Sequence, residues 1–262
     1  MPTPVVFVHG LWLHSTSWTS WIDFFRENGY EPSAPGWPGD AETVAAARQN
    51  PDAVAGYGIN EVVDAYASEI AKLDAKPIVI GHSFGGLIVQ RLLGQGSVSA
   101  AVAIDAAPIK GVWNLPVSAL RVASVALRNP FSRKGATALT REQFRYGFGN
   151  ALPQQESDEL FDQWTIPSPN QPLFEAAFAT VTPKSPTAVN TKNGSRGPLL
   201  LTAGGKDHTV PAVITKHTLK LYRSGAVTDF QEFPDRGHSL CVDSGWREVA
   251  QHSLDWLKKQ GL

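Results

Sequence analysis

Ser83 lies in Gly81-His82-Ser83-Phe84-Gly85, a G-x-S-x-G, and the chain also carries the two groups that turn such a serine into a nucleophile. A serine hydroxyl attacks a carbonyl only when a base takes its proton, and that base needs a carboxylate to orient it. Of the seven histidines, His238 is the best placed, in the glycine-flanked stretch Asp235-Arg236-Gly237-His238-Ser239. Asp207 is the first choice of acid, because it follows Gly204-Gly205-Lys206 and precedes Val210-Pro211, where a helix can start. Its alternative role is that of a helix N-cap. Asp105 competes with it, since it too closes an apolar run and is closer to Ser83 along the chain. Attack on a carbonyl creates an oxyanion, which needs two N–H donors held in place. The backbone N–H of Phe84 is one candidate, and that of Leu11, in the loop after the first apolar run, is the other, with Trp12 as the fallback.

The remaining histidines divide by context. His9 and His82 flank glycines and are expected to pack or hydrogen-bond locally, and His217 and His252 fall within helical patterns. His14 and His208 are loop residues that can reach a substrate. No two histidines have ligand spacing on one helix face, so neither a metal nor a cofactor is expected.

The elements that position these residues are legible in the periodicity. Pro77-Ile78-Val79-Ile80 reads as a buried strand, and Leu87, Ile88, Leu92 and Leu93 form a helical stripe behind it. Ser83 is thus at a strand-to-helix turn, where flanking glycines leave room and the helix start offers free N–H groups. Val5 to Val8 is a second strand. A helix bearing Trp18, Trp21, Ile22 and Phe25 follows, and Glu31 to Ala34 is a short strand. Residues 41–58 read as loop or short helix, and Ile59 to Leu73 as an amphipathic helix with Val62, Val63, Tyr66, Ile70 and Leu73 inward. Ala100 to Ile104 is a strand ending at Asp105.

From Ala106 to Gly197 the alternation stops, and helices alternate with proline-broken loops. Leu115 to Leu127 is apolar except for a stripe of Ser118, Arg121, Ser124 and Arg128. Thr140 to Gln143 forms a capping box, and further helices are expected over Gln154 to Trp164 and Leu173 to Ala179. Strands Leu199 to Thr202 and Val227 to Phe233 then resume the pattern, with helices Ala212 to Tyr222 and Gly245 to Lys259. Six short apolar strands, mostly followed by helices, imply an α/β fold with a parallel sheet covered on both faces. Sites in such sheets form beyond the carboxyl ends of the strands, and Ser83, Asp105, Asp207 and His238 all fall there. The expected organisation is a core of 1–105 and 198–262, with 106–197 inserted after the fourth strand as a helical lid over the same edge.

Bulk properties narrow the function classes. A chain of 262 residues with a formal net charge of −1 has no field to draw nucleic acid or an anionic membrane. The single cysteine, Cys241, excludes an intrachain disulfide. Met1-Pro2-Thr3-Pro4 runs straight into a strand without a leader pattern, so a cytoplasmic location is expected.

Val8-His9-Gly10-Leu11-Trp12, Ala34-Pro35-Gly36, Gly81 to Gly86, Gly204 to Pro211 and Pro234 to His238 together resemble the α/β-hydrolase fold superfamily, in its lidded single-domain serine esterase and lactonase form. The resemblance spans both halves of the core and has the family's Ser-Asp-His chain order. It implies an α/β-hydrolase sheet of six strands, the first two of the usual eight being absent. A serine at the elbow, where dehalogenases and epoxide hydrolases of this fold carry aspartate, argues against those activities.

The implied function is cleavage of a carboxylic ester or lactone through an acyl-enzyme on Ser83. Alternatives on the same triad are a C–C or amide-bond hydrolase, a lyase or a cofactor-free perhydrolase; a small-molecule receptor of this fold is an alternative from another class. The apolar helix 115–127 suggests a hydrophobic small-molecule substrate, with Trp12, Trp113, Phe144 and Phe148 as candidate lining residues.

Overall fold

Val5–Val8, Ile78–Ile80, Ala100–Ile104 and Leu199–Leu201 are buried on both sides, as a parallel sheet between two helical layers requires. The computed structural model describes residues 2–114 and 116–262. Met1, and Leu115 at the expected start of the 115–127 helix, lie outside the described residues. Strands β1 (Pro4–Val8), β2 (Glu31–Ser33), β3 (Ile78–His82), β4 (Ala100–Ile104), β7 (Leu199–Gly204) and β8 (Thr228–Phe233) form one sheet in the order β2-β1-β3-β4-β7-β8. Every neighbouring pair in it is parallel. The chain moves outward from β1 to β2 and returns to the other side of β1 as β3. The carboxyl ends of β1 and β3 therefore flank the switch point at which such sheets bind ligands.

Alternate strand residues feed separate cores, as the period of two demands. Val6, Val8, Val79, Ala101, Ala103 and Leu201 pack with α3 (Ile59–Ile70) and α4 (Phe84–Gln95). Val5, Phe7, Ile80, Val102, Ile104 and Leu200 face an aromatic cluster of Trp18, Trp21, Phe24 and Phe25 together with Val249 and Leu254. Those partners come from α1 (Thr19–Glu27), the turn before it and α10 (Trp246–Lys259). Fully burying one such side chain stabilises by about 1.5–3 kcal/mol, so the two layers fix the sheet edge firmly.

Most expected elements appear within a few residues of the sequence reading. The 41–58 stretch contains α2 (Val44–Gln49) and a 3-10 turn, Pro51–Val54. Helix α3 stops at Ile70, three residues short of the expected end, and Leu73 is 38% exposed instead of inward. Lys72 and Leu73 close the helix with i→i+3 bonds ahead of the polar Asp74, which turns Leu73 away from the core.

Between β4 and β7 lie α5 (Val117–Leu127), α6 (Arg141–Gly147), α7 (Gln154–Trp164) and α8 (Gln171–Ala177). The two-residue strands β5 (Ala136–Thr137) and β6 (Ser168–Pro169) pair antiparallel among them. Thr140 and Gln143 form the expected capping box of α6. This insert is fastened to the core. Arg48 of α2 donates to the carbonyls of Thr165, Phe161 and Asp162 at the end of α7. His14 N–H donates to the Trp164 carbonyl at 3.0 Å. The last core helix before β8 is α9 (Ala212–Leu221). No helix among the described residues is long and apolar enough to cross a membrane.

Candidate active site

Strain marks the carboxyl edge of the sheet. Among the described residues, Trp12, Ser83 and Asp105 are the non-glycine residues with left-handed φ, at 65°, 57° and 43°. Each such residue costs about 1–2 kcal/mol and persists only where its surroundings over-determine it. They follow β1, β3 and β4, three neighbouring interior strands.

Ser83 turns the chain from β3 into α4 with φ 57° and ψ −120°. Its N–H donates to the Ile104 carbonyl at 2.9 Å, and its carbonyl accepts the N–H of Ala107 at 2.9 Å. Both sides of the turn are thereby tied to the end of β4. A Cβ on Gly85 would fall on the carbonyls of Val8 and His9, so glycine there lets α4 start against β1. A Cβ on Gly10 would come within 2.6 Å of Ser83 Cβ and 2.9 Å of the His82 carbonyl oxygen. The loop after β1 therefore passes directly across the serine.

The three residues singled out from sequence come together. His238 Nε2 is 3.0 Å from Ser83 Oγ, and His238 Nδ1 is 2.6 Å from Asp207 Oδ2. Two main-chain bonds of 2.9 Å, Gly205 N–H to the Phe233 carbonyl and Lys206 N–H to the Arg236 carbonyl, clamp the loop bearing Asp207 to the loop bearing His238. Asp207 Oδ1 accepts the N–H groups of Thr209 at 2.6 Å and Val210 at 2.8 Å. Its N-cap alternative does not apply, because α9 begins only at Ala212, behind Pro211. One oxygen holds the residue's own turn and the other holds the imidazole.

Asp105, the competing acid, is fully buried but stands farther off. Its Oδ2 is 3.9 Å from His238 Nδ1, and its Oδ1 accepts Gly204 N–H at 2.6 Å. Burial, and next the charge of Asp207, push the Asp105 carboxyl well above the usual carboxylate range. His82 lies against His238: the two rings are 4.5 Å apart, and His82 Nε2 donates to the His238 carbonyl at 2.8 Å. Burial, and next the neighbouring His238, hold His82 well below the ordinary imidazole range, so its ring is neutral.

Two N–H groups are candidates to meet an oxyanion on Ser83. That of Phe84 is at the first position of α4, where a helix leaves it without an internal partner and the dipole favours negative charge. In the β1 loop, Trp12 N–H already donates to Ser168 Oγ at 2.6 Å. This removes the fallback and leaves Leu11, itself buried, as the second candidate donor. Trp12 is also held by its indole, which donates to the Thr137 carbonyl at 3.0 Å, and by its carbonyl, which accepts Ile166 N–H at 3.0 Å.

Beside Ser83 opens a cavity of about 710 Å³, part of it continuous with solvent. Trp12, Phe84, Leu127, Leu173, Val210 and Ile214 line it, with alanines 107, 119, 123, 176 and 177. The polar lining is Ser83 and Thr209, and the Thr209 hydroxyl already donates to the Gly147 carbonyl at 2.8 Å. Among the described residues, no charged side chain lines the cavity.

Three of the four candidate lining residues are not among these. Trp113, 73% exposed, stands in solvent ahead of α5. Phe144 and Phe148 stack at 5.0 Å within the interior of the insert. Phe148 instead meets the His238 ring edge-on at 4.8 Å. Aromatic size drew attention to these residues, whereas burial among each other satisfies Phe144 and Phe148. The sequence signal for the true lining was the small pair Ala119 and Ala123, four residues apart and therefore on one helix face.

Neither loop histidine reaches the cavity lining. His14 bonds Thr16 Oγ1 at 2.7 Å and the Ala41 carbonyl at 2.9 Å, and His208 bonds the Tyr146 carbonyl at 3.0 Å. His9 packs locally against Asp40 at 2.9 Å. His82, Asp105 and His238 bring ligand-type atoms within 4.8 Å of one another. Hydrogen bonds already occupy both nitrogens of His238 and Nε2 of His82. Two free atoms remain, fewer than a zinc site needs.

The chain matches the model of a family described as "Alpha/beta hydrolase family" over residues 5–252. No curated protein matches the sequence. Similar solved structures include a monoacylglycerol lipase of Paleococcus ferrophilus, 21% identical with a TM-score of 0.68, the match covering 99% of this chain and 97% of that one. The methylesterase MES16 from Arabidopsis is 15% identical with a TM-score of 0.69, over 98% of this chain and 99% of that one. An extracellular alpha/beta-hydrolase from a Paenibacillus species is 18% identical with a TM-score of 0.67, over 97% and 98%. At these identities the likeness is one of fold.

Proposed function

We propose that this chain, which belongs to the alpha/beta hydrolase family, is a serine hydrolase that cleaves hydrophobic carboxylic esters or lactones through an acyl-enzyme on Ser83. The observation that carries this reading is the continuous hydrogen-bonded series from Ser83 Oγ through His238 to Asp207, built on a strained turn at the mouth of an apolar cavity.

In this reading Ser83 Oγ attacks the ester carbonyl carbon as its proton passes to His238 Nε2. The resulting oxyanion is met by the N–H groups of Phe84 and Leu11; loss of one such donor typically lowers kcat by about 10²–10³-fold. His238 then gives its proton to the leaving alkoxide, and the alcohol departs. A water, losing a proton to His238, attacks the acyl carbon, and the carboxylic acid leaves as Ser83 recovers its hydrogen. With a lactone the alcohol stays tethered to the acyl group, so a hydroxy acid is released. Asp207 keeps Nδ1 protonated throughout, which leaves Nε2 free to accept.

Residues 106–197 act in this proposal as a lid, with α5 and α8 forming the wall that meets the hydrophobic part of the substrate and Trp12 closing the other side. An uncharged lining favours a neutral, apolar acyl or alcohol group, since a buried carboxylate would lack a partner there.

The test is a panel of p-nitrophenyl esters of increasing acyl length and a matching set of lactones. Turnover that depends on Ser83 and rises from acetate to medium-chain esters supports the reading. Ligands that raise Tm without being consumed, and no turnover of any ester or lactone, would favour a receptor and contradict it.

A further inference from the structure

The catalytic reading above leaves one buried acid unused. Asp105 ends β4 with its side chain turned under His238, where a second carboxyl, Asp207, already receives the only proton on Nδ1. Asp105 Oδ1 is satisfied by Gly204 N–H, whereas its Oδ2 is buried and accepts from no donor among the described residues. An ionised oxygen in that position would be a naked charge beside another carboxylate, and two such groups facing each other do not both ionise.

Among the described residues, the neighbours offer no free cation to relieve it. His82 uses Nε2–H on the His238 carbonyl, so as a neutral ring it presents only an acceptor at Nδ1. Asp243 and the thiol of Cys241 also border the site. The guanidinium of Arg236 is engaged with Asp243 and Glu248. A protonated Asp105 resolves the arrangement, because its Oδ2 then becomes a donor, and Asp207 is the charged acceptor at the same His238 nitrogen, with Oδ2 2.6 Å from Nδ1 against 3.9 Å for Asp105 Oδ2. Burial and the charge of Asp207 act in that direction.

We propose that the acid of the triad is a pair: Asp105, as the neutral carboxylic acid, donates a hydrogen bond to Asp207 and so fixes the carboxylate that orients His238. Asp105 is a positioning residue, acting through Asp207 and not on the substrate. The inference rests on the reading of Ser83, His238 and Asp207 as a triad. Sharing a proton with Asp105 disperses the Asp207 charge, so the resting enzyme keeps His238 neutral and able to accept the serine proton. Without that donor the full charge of Asp207 faces the imidazole and holds a proton on it to higher pH. Asp207 also loses a contact that stops it rotating. The left-handed φ of 43° at Asp105 fits aspartate or asparagine better than other side chains, and asparagine keeps both an acceptor and a donor.

The experiment compares wild type, Asp105→Ala and Asp105→Asn in the full chain, using kcat/KM for p-nitrophenyl butyrate against pH. Asp105→Ala is expected to lose about tenfold in kcat and to move the acidic limb of the profile up by about one unit. Asp105→Asn is expected to recover most of the lost activity and return the limb toward its wild-type position. A limb that moves down in Asp105→Asn would show that a charge had been removed, overturning the proposal. A lower kcat in Asp105→Ala with an unmoved limb would reduce Asp105 to packing.

Infrared spectroscopy in D2O gives a readout that needs neither turnover nor the alanine variant. A neutral-carboxyl C=O band is expected at neutral pD in Ser83→Ala protein and is expected to vanish in Ser83→Ala/Asp105→Asn. Absence of that band in Ser83→Ala contradicts the pair, whereas full activity in Ser83→Ala contradicts the triad.

Discussion

The sheet edge and the helical insert meet at Ser83, yet they are built on opposite principles. At the edge, polar groups from the ends of β3, β4, β7 and β8 are buried together: hydrogen bonds join Ser83, His238, Asp207 and His82 into one network, with Asp105 tied to Gly204 beside it. The insert supplies the cavity with alanine, leucine and valine. A satisfied polar network tolerates little change in distance, because each group relies on the geometry of the next. An apolar wall tolerates change in shape, because hydrophobic contact has no direction. Under the proposed function, the edge sets whether the reaction occurs, and the insert sets which substrate it occurs on.

Substitutions at the edge have the largest expected effects. Ser83→Ala should lower kcat by at least about 10⁴-fold with the fold intact by circular dichroism. Asp207→Asn should lower it by about 10⁴-fold, because an amide nitrogen turned toward Nδ1 favours the wrong tautomer. Comparable activity in Asp207→Asn and wild type would break the contrast at its root.

Gly10→Ala probes the edge without touching a polar side chain. The added methyl would lie 2.6 Å from Ser83 Cβ and 2.9 Å from the His82 carbonyl oxygen, forcing the loop that presents Leu11 N–H to move. A loss of about 10²-fold in kcat with a small change in KM is expected, measured on the same ester series. A change confined to KM would place that loop in binding instead.

In the insert, Ala123→Phe should leave the chemistry in place but shorten the cavity. The ratio of kcat/KM for octanoate to that for acetate should fall about tenfold or more, since each methylene contributes about 1–3 kcal/mol of discrimination. Equal losses on both esters would show that the wall also supports the edge.

The smallest effect concerns stability. The folded protein holds Asp105 protonated above the ordinary carboxylate value of about 4, while the unfolded chain releases that proton. The folded state binds more protons, so this group lowers stability progressively as pH rises from that value toward its raised one. Asp105→Asn lacks the effect, and its Tm relative to wild type should increase between pH 5 and pH 8. A difference that shrinks over that range would contradict the burial of a neutral acid.

The same division explains what could be read in the chain. The edge follows from local rules: Gly81 to Gly85 demands a tight turn, and Asp207 and His238 follow strands in glycine-rich loops. The pairing of His238 with Asp207 and the choice between Asp207 and Asp105 depend on distances of 2.6 and 3.9 Å, which no spacing in the sequence encodes. In the insert, helix positions were legible, α7 to the residue and the capping box of α6 with it. Which face meets the cavity was not, because α5 is apolar nearly all round. Trp113 was the residue most affected, its size suggesting burial where the structure leaves it in solvent. The capture of Trp12 N–H by Ser168, 156 residues away in sequence, was equally out of reach.

The most direct test of the edge is covalent. A fluorophosphonate presents a tetrahedral phosphorus to the activated serine and should leave one adduct per chain by intact mass. Peptide mapping should place it on Ser83, and Ser83→Ala should give none. Labelling at another residue, or no adduct in protein that still turns over esters, would contradict the assignment of Ser83 as nucleophile.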